Sequence, residues 1–88
     1  MPVYEIEHKW ANESTKAVVE KVQGAIALAK KGQLPAGFRP IMIAAIPGKT
    51  QAHCVWEAPS AEAMEGLYKS IGLPTERQIR EVTPFFTV

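Results

Sequence analysis

Cysteine is almost missing from the chain. Cys54 stands alone among 88 residues, so neither an internal disulfide nor a paired-thiolate metal site can form. A dominant charge sign is missing too: ten Lys and Arg against nine Asp and Glu leave a net charge of +1. That is far from the positive field that neutralises phosphates along a nucleic acid, and nucleic-acid binding is disfavoured. No apolar run approaches the ~18 residues of a membrane span. The opening Met1-Pro2-Val3-Tyr4-Glu5 carries acid where a secretory leader carries base. These absences predict a cytoplasmic protein without membrane or nucleic-acid partners, in which a lone reduced thiol is ordinary. The dinucleotide and phosphate-loop glycine patterns and the G-x-S-x-G elbow are absent as well; Pro47-Gly48-Lys49-Thr50 matches only the tail of a phosphate loop.

What is present is 47% hydrophobic residues, arranged periodically. Residues 3–10 alternate, with Tyr4, Ile6, His8 and Trp10 on one side and Glu5, Glu7 and Lys9 on the other, the period of a strand with one buried face. Asn12 or Ser14 can cap a following helix whose apolar positions Val18, Val22, Ala25, Ile26 and Ala29 recur at helical spacing, until Gly32 stops it. Residues 40–46 run apolar on both faces and predict a strand covered on both sides. Pro47-Gly48-Lys49-Thr50 turns the chain into a further strand at residues 52–57, making a hairpin. Ser60 caps a short helix with Met64, Leu67, Tyr68 and Ile71 on one stripe, ended by Gly72 and Pro74. Thr75-Glu76-Arg77-Gln78 has the form of a capping box and predicts one helical turn, followed by a last strand over residues 81–88.

The order β-α-β-β-α-β predicts one α+β domain over residues 1–88, of ferredoxin-like plan: a four-stranded antiparallel sheet in strand order 4-1-3-2, with both helices on one face. The other face stays open in a lone chain, and a domain this small buries only a little over about 60% of its unfolded surface. A homodimer or larger assembly, with two sheets packed as a dimeric α/β barrel, is the expected remedy. Trp56, Phe85 and Phe86 are expected among the core and dimer contacts.

The alternation puts Glu5, Glu7, Lys9, His53 and Glu57 on the uncovered face if Cys54 and Trp56 join the apolar side. Carboxylates and imidazole converging between paired sheets can hold a divalent ion or move a proton. The same residues also suit a solvated face with its salt bridges. His8 and His53 fall near one end of the sheet without sharing a face, and the candidate ligand set is His8, His53, Glu5, Glu7 and Glu57. Cys54, adjacent to His53, points the opposite way and reads as a buried hydrophobe.

Cys54-Val55-Trp56-Glu57-Ala58-Pro59-Ser60-Ala61-Glu62-Ala63-Met64, then Gly72-Leu73-Pro74 and Ile79-Arg80-Glu81-Val82, resembles a family of small, largely uncharacterised ferredoxin-like proteins sometimes labelled nickel-binding or nickel-responsive. The likeness covers roughly the C-terminal half, with a looser similarity at Tyr4-Glu5-Ile6-Glu7; the wholly apolar stretch 41–46 departs from it. It implies the ferredoxin-like fold, a dimer and a divalent transition metal, for which Ni, Cu or Zn would suit imidazole and carboxylate ligands. The expected function is therefore that of a small homo-oligomeric ligand- or metal-binding protein. The alternative is a cofactor-independent enzyme of dimeric α/β-barrel type, an isomerase or oxygenase using a histidine for proton transfer. A closed apolar pocket with one titratable residue inside would distinguish the enzyme from a set of converging metal ligands.

Overall fold

A computed structural model describes residues 2–85 of the chain. The elements follow in the order β1 (Val3–Lys9), α1 (Thr15–Lys30), β2 (Arg39–Ala45), β3 (Gln51–Glu57), α2 (Ala61–Ser70) and β4 (Glu76–Val82). The four strands form one antiparallel sheet in the order β2-β3-β1-β4, the topology expected from right-handed crossovers. The fold is ferredoxin-like α+β.

Local chemistry explains each boundary. The Ser14 hydroxyl accepts the Ala17 amide at 3.1 Å and so caps α1. Past its end Gly32 takes φ +68°, a left-handed conformation that suits glycine, and the Gln33 amide reaches back to the Leu28 carbonyl. Ser60 caps α2 in the same way through the Ala63 amide. The β2–β3 turn closes through Gly48 at φ +73°, with Ile46 N–H donating to Gln51 O at 3.0 Å.

The core lies between one face of the sheet and the two helices. From β1 come Tyr4, Ile6 and His8, and from β3 Ala52, Cys54 and Trp56; these meet Val18, Val22 and Ala25 of α1 and Met64, Leu67 and Tyr68 of α2. Register matches the two central strands side by side, Tyr4 opposite Trp56, Ile6 opposite Cys54 and His8 opposite Ala52. Trp56, Met64 and Tyr68 are fully enclosed.

Three expectations are corrected. β2 is not covered on both sides: it forms a sheet edge, and Ile41 and Met42 remain 42% and 45% exposed. A bulge between Pro40 and Met42 shifts the register, so Ile41 has no place in the pairing and Ile43 is the half-buried strand residue that packs against the core. Residues 75–78 do not make a helical turn. β4 begins at Glu76, and the Thr75 hydroxyl is taken up by His8 and Arg77 instead of capping a helix. The final strand therefore ends at Val82, and Phe85 is fully exposed instead of joining the core; Phe86, Thr87 and Val88 lie outside the described residues. Among the described residues no helix is long and apolar enough to cross a membrane.

Removing the α2 cap by Ser60→Ala is expected to cost about 1 kcal/mol, and emptying the core beneath α2 by Met64→Ala about 2–5 kcal/mol. Urea unfolding midpoints of the two variants check the order.

Candidate functional site

Strand alternation sorts the candidate residues onto opposite sides of the sheet. Glu5, Glu7, His53 and Glu57 stand on the uncovered face, half-buried, while His8 is 1% exposed beneath the helices. The sheet therefore separates His8 from the other four. Glu7 and His53 are direct cross-strand partners in the two central strands. The carboxylates around them are engaged with cations: Glu5 accepts from Arg80 at 2.6 and 3.1 Å, Glu57 from Arg39, and Glu7 lies 3.9 Å from Lys9. The Arg39 guanidinium holds the Glu57 carboxyl below its ordinary pKa. Among the described residues no group of three or more His, Cys, Asp or Glu is arranged to hold a metal ion within one chain.

On the covered face, α1 and the sheet flank a recess of about 270 Å³ that opens to solvent past Gln23 and Ala45. Its wall is largely aliphatic, with Val18, Val22 and Ile26 from α1 and Ile43 from β2; His8 and Trp10 supply the aromatic part. It is smaller than the ~300–1,000 Å³ of drug-sized sites. No Asp, Glu, Lys or Arg lines it.

His8 is held from behind by polar contacts. Its Nδ1 lies 3.0 Å from Thr75 Oγ1, which accepts from Arg77 Nη1 at 3.2 Å. Arg77 is fixed in turn by two hydrogen bonds to the Glu65 carboxylate, at 2.9 and 2.6 Å, and by one to the Leu73 carbonyl. Its guanidinium carbon sits 5.3 Å from the centre of the Tyr68 ring, and the Tyr68 and His8 rings meet edge to face at 4.9 Å. Burial, with the Arg77 charge as second cause, pulls the His8 pKa down from 6.5 to about 4. The imidazole is accordingly neutral at pH 7. A general base works best with a pKa near the operating pH, so this environment suits hydrogen bonding better than proton abstraction.

Cys54 also borders the recess, and burial pushes its thiol up to about 11, away from the thiolate form that a nucleophile needs. The same burial, with Cys54 beside it, raises the Tyr68 phenol. Four buried polar atoms have no hydrogen-bond partner among the described residues, namely His8 Nε2, Trp10 Nε1, Trp56 Nε1 and the Tyr68 hydroxyl.

Sequence reasoning found both histidines and the face each occupies, but it missed Thr75, Arg77 and Glu65. Thr75 lies 67 positions from His8 in the chain, and no local pattern links them. Arg77 occupies an inward strand position where alternation looks for an apolar residue.

Because the folded pKa of His8 lies below the unfolded value, the unfolded chain binds the extra proton between about pH 6.5 and about pH 4. Stability contributed by His8 is therefore present above that window and is lost as the pH falls through it. In His8→Gln the decline in the urea midpoint between pH 7 and pH 5 is expected to flatten. Comparison of the chain with family models, with curated proteins and with solved structures gives no match.

Proposed function

We propose that the chain is a small homo-oligomeric ligand-binding protein that takes up a small, largely apolar molecule between α1 and the sheet. The observation that carries this reading is the largely aliphatic recess, open on one side at Gln23 and Ala45, with one buried imidazole in its wall. A recess of this kind is the feature that the enzyme alternative also requires, but the low His8 pKa favours binding over proton transfer. The lone buried thiol accords with a cytoplasmic setting.

Self-association rests on the uncovered face, where Val3, Val55 and Val82 are only half-buried and Met42 is exposed. A second copy packed sheet to sheet would cover these side chains.

The cross-strand pair Glu7–His53 supports a second reading, a divalent-metal site completed by two copies, in keeping with the resemblance to nickel-binding proteins. Among the described residues no side-chain hydrogen bond or ion pair engages the His53 imidazole. Two such pairs brought face to face would supply two imidazoles and two carboxylates.

Narrowing the recess from its rim by Ala45→Phe should weaken binding of cyclohexanone at least tenfold without changing the circular dichroism, as read by titration into ¹⁵N-labelled protein. Equal affinity in the variant would remove the recess as the site. In sedimentation equilibrium the native chain is expected at twice its chain mass and Val55→Lys at the chain mass. Nickel titrated into the native dimer should bind and His53→Ala should abolish it; retention in the variant would dismiss the metal reading.

A further inference from the structure

Two sheets of one sequence can meet face to face in only a few ways, and the register of this sheet chooses among them. Cross-strand partners stand on the same side of a sheet, so the uncovered face is built of rows that cross all four strands. Val3 and Val82 fall in the end row with Glu57 and Arg39, and Val55 and Met42 in the next with Glu5 and Arg80. Glu7 and His53 share the third. Met42 and the three valines are thus gathered at the end where β1 begins. Glu5 and Glu57 are neutralised by Arg80 and Arg39, whereas no side-chain hydrogen bond or ion pair among the described residues engages the His53 imidazole.

A symmetric face-to-face pair needs a two-fold axis lying between the sheets, with the strands of the two copies either aligned or perpendicular. Each strand has seven residues, about 20 Å from first to last, while the outer strands lie only about 14 Å apart. Perpendicular packing therefore leaves the end row, Val3 and Val82 included, beyond the partner's strands. Of the aligned arrangements, an axis across the strands lays each strand on its own copy reversed. Glu5 of each copy then meets the partner's Glu7, and like charges facing each other oppose association. An axis along the strands lays β1 on the partner's β3 instead and sets no like charges opposite each other. Glu7 meets the partner's His53, whose imidazole can donate to the carboxylate, and the apolar ends of both sheets coincide.

We infer that a second copy docks on the uncovered face about a two-fold axis that runs along the strands between β1 and β3, so that Glu7 of each copy meets the partner's His53. This rests on the self-association proposed above and adds to it the orientation and the central contact. Each copy then supplies half of one polar cluster at the middle of the interface, flanked on one side by the apolar rows.

Val82 reports the axis, because what it meets across the interface differs in each arrangement. With the axis along the strands it meets the partner's Arg39, with the axis across them the partner's Glu76, and in perpendicular packing no partner strand. Sedimentation equilibrium of the full-length variants Val82→Glu and Val82→Lys is therefore compared. The Glu variant is expected to dimerise at least tenfold more tightly than the Lys variant. The reverse order overturns the axis in favour of one across the strands, and equal dissociation constants overturn aligned packing. A nitroxide on Lys49→Cys, in the exposed β2–β3 turn, gives a distance independently, since the fully buried Cys54 takes no label. The two turns share one end of this dimer, less than about 25 Å apart by the strand and sheet spacings; a longer separation overturns the axis. His53→Glu should weaken the dimer at least tenfold with circular dichroism unchanged, while His53→Gln, which keeps a donor for the carboxylate, should retain it. Equal association of both with the native chain overturns the contact between Glu7 and the partner's His53. A native chain that sediments at its single-chain mass overturns the self-association itself, an outcome distinct from each of these.

Discussion

The pairing of β1 with β3 at the centre of the sheet constrains everything else. Register sets Tyr4, Ile6 and His8 against Trp56, Cys54 and Ala52, and the pleat sends all six toward the helices. By the same geometry Glu5, Glu7 and Lys9 share the opposite side with His53, Val55 and Glu57. A slip of one residue in this pair would exchange the two sides, burying carboxylates and exposing Trp56. The core, the recess and the charged face are thus three outcomes of one register.

Where this alternation is pronounced in the sequence, the structure was legible from it. β1, the hairpin, the α2 cap and the strand order follow from apolar periodicity, a serine position and glycine stops, while Asn12 and Ser14 stood as alternatives for the α1 cap that Ser14 fills. β4 was misplaced because its inward positions include Arg77, whose stem and charged head are accommodated by Tyr68 and Glu65 from α2. Apolar composition at 41–46 suggested full burial, but composition does not say whether a strand lies at an edge, and β2 does.

For the candidate site, legibility stopped at the histidines. Periodicity assigned His8 to the covered side and His53 to the open side, as the structure has them. The polar chain behind His8 draws Glu65 from α2, Arg77 from β4 and Thr75 from the loop between them. Such a chain depends on the docking of separate elements, and local sequence carries no trace of that docking. Its physical effect is to hold a neutral imidazole rigidly inside an apolar environment, where a hydrogen bond counts for more than in water.

The bulge and Pro40 in β2 have a further bearing on how copies of the chain can meet. An apolar strand at a sheet edge is a template for endless strand addition, and fibrous aggregation is its usual hazard. Here the irregular register and a residue without an amide proton interrupt that template on one side, while Glu76, Arg80 and Glu81 arm the β4 side with charge. Both sheet margins thus carry features that disfavour strand addition, beside an uncovered face that bears apolar side chains.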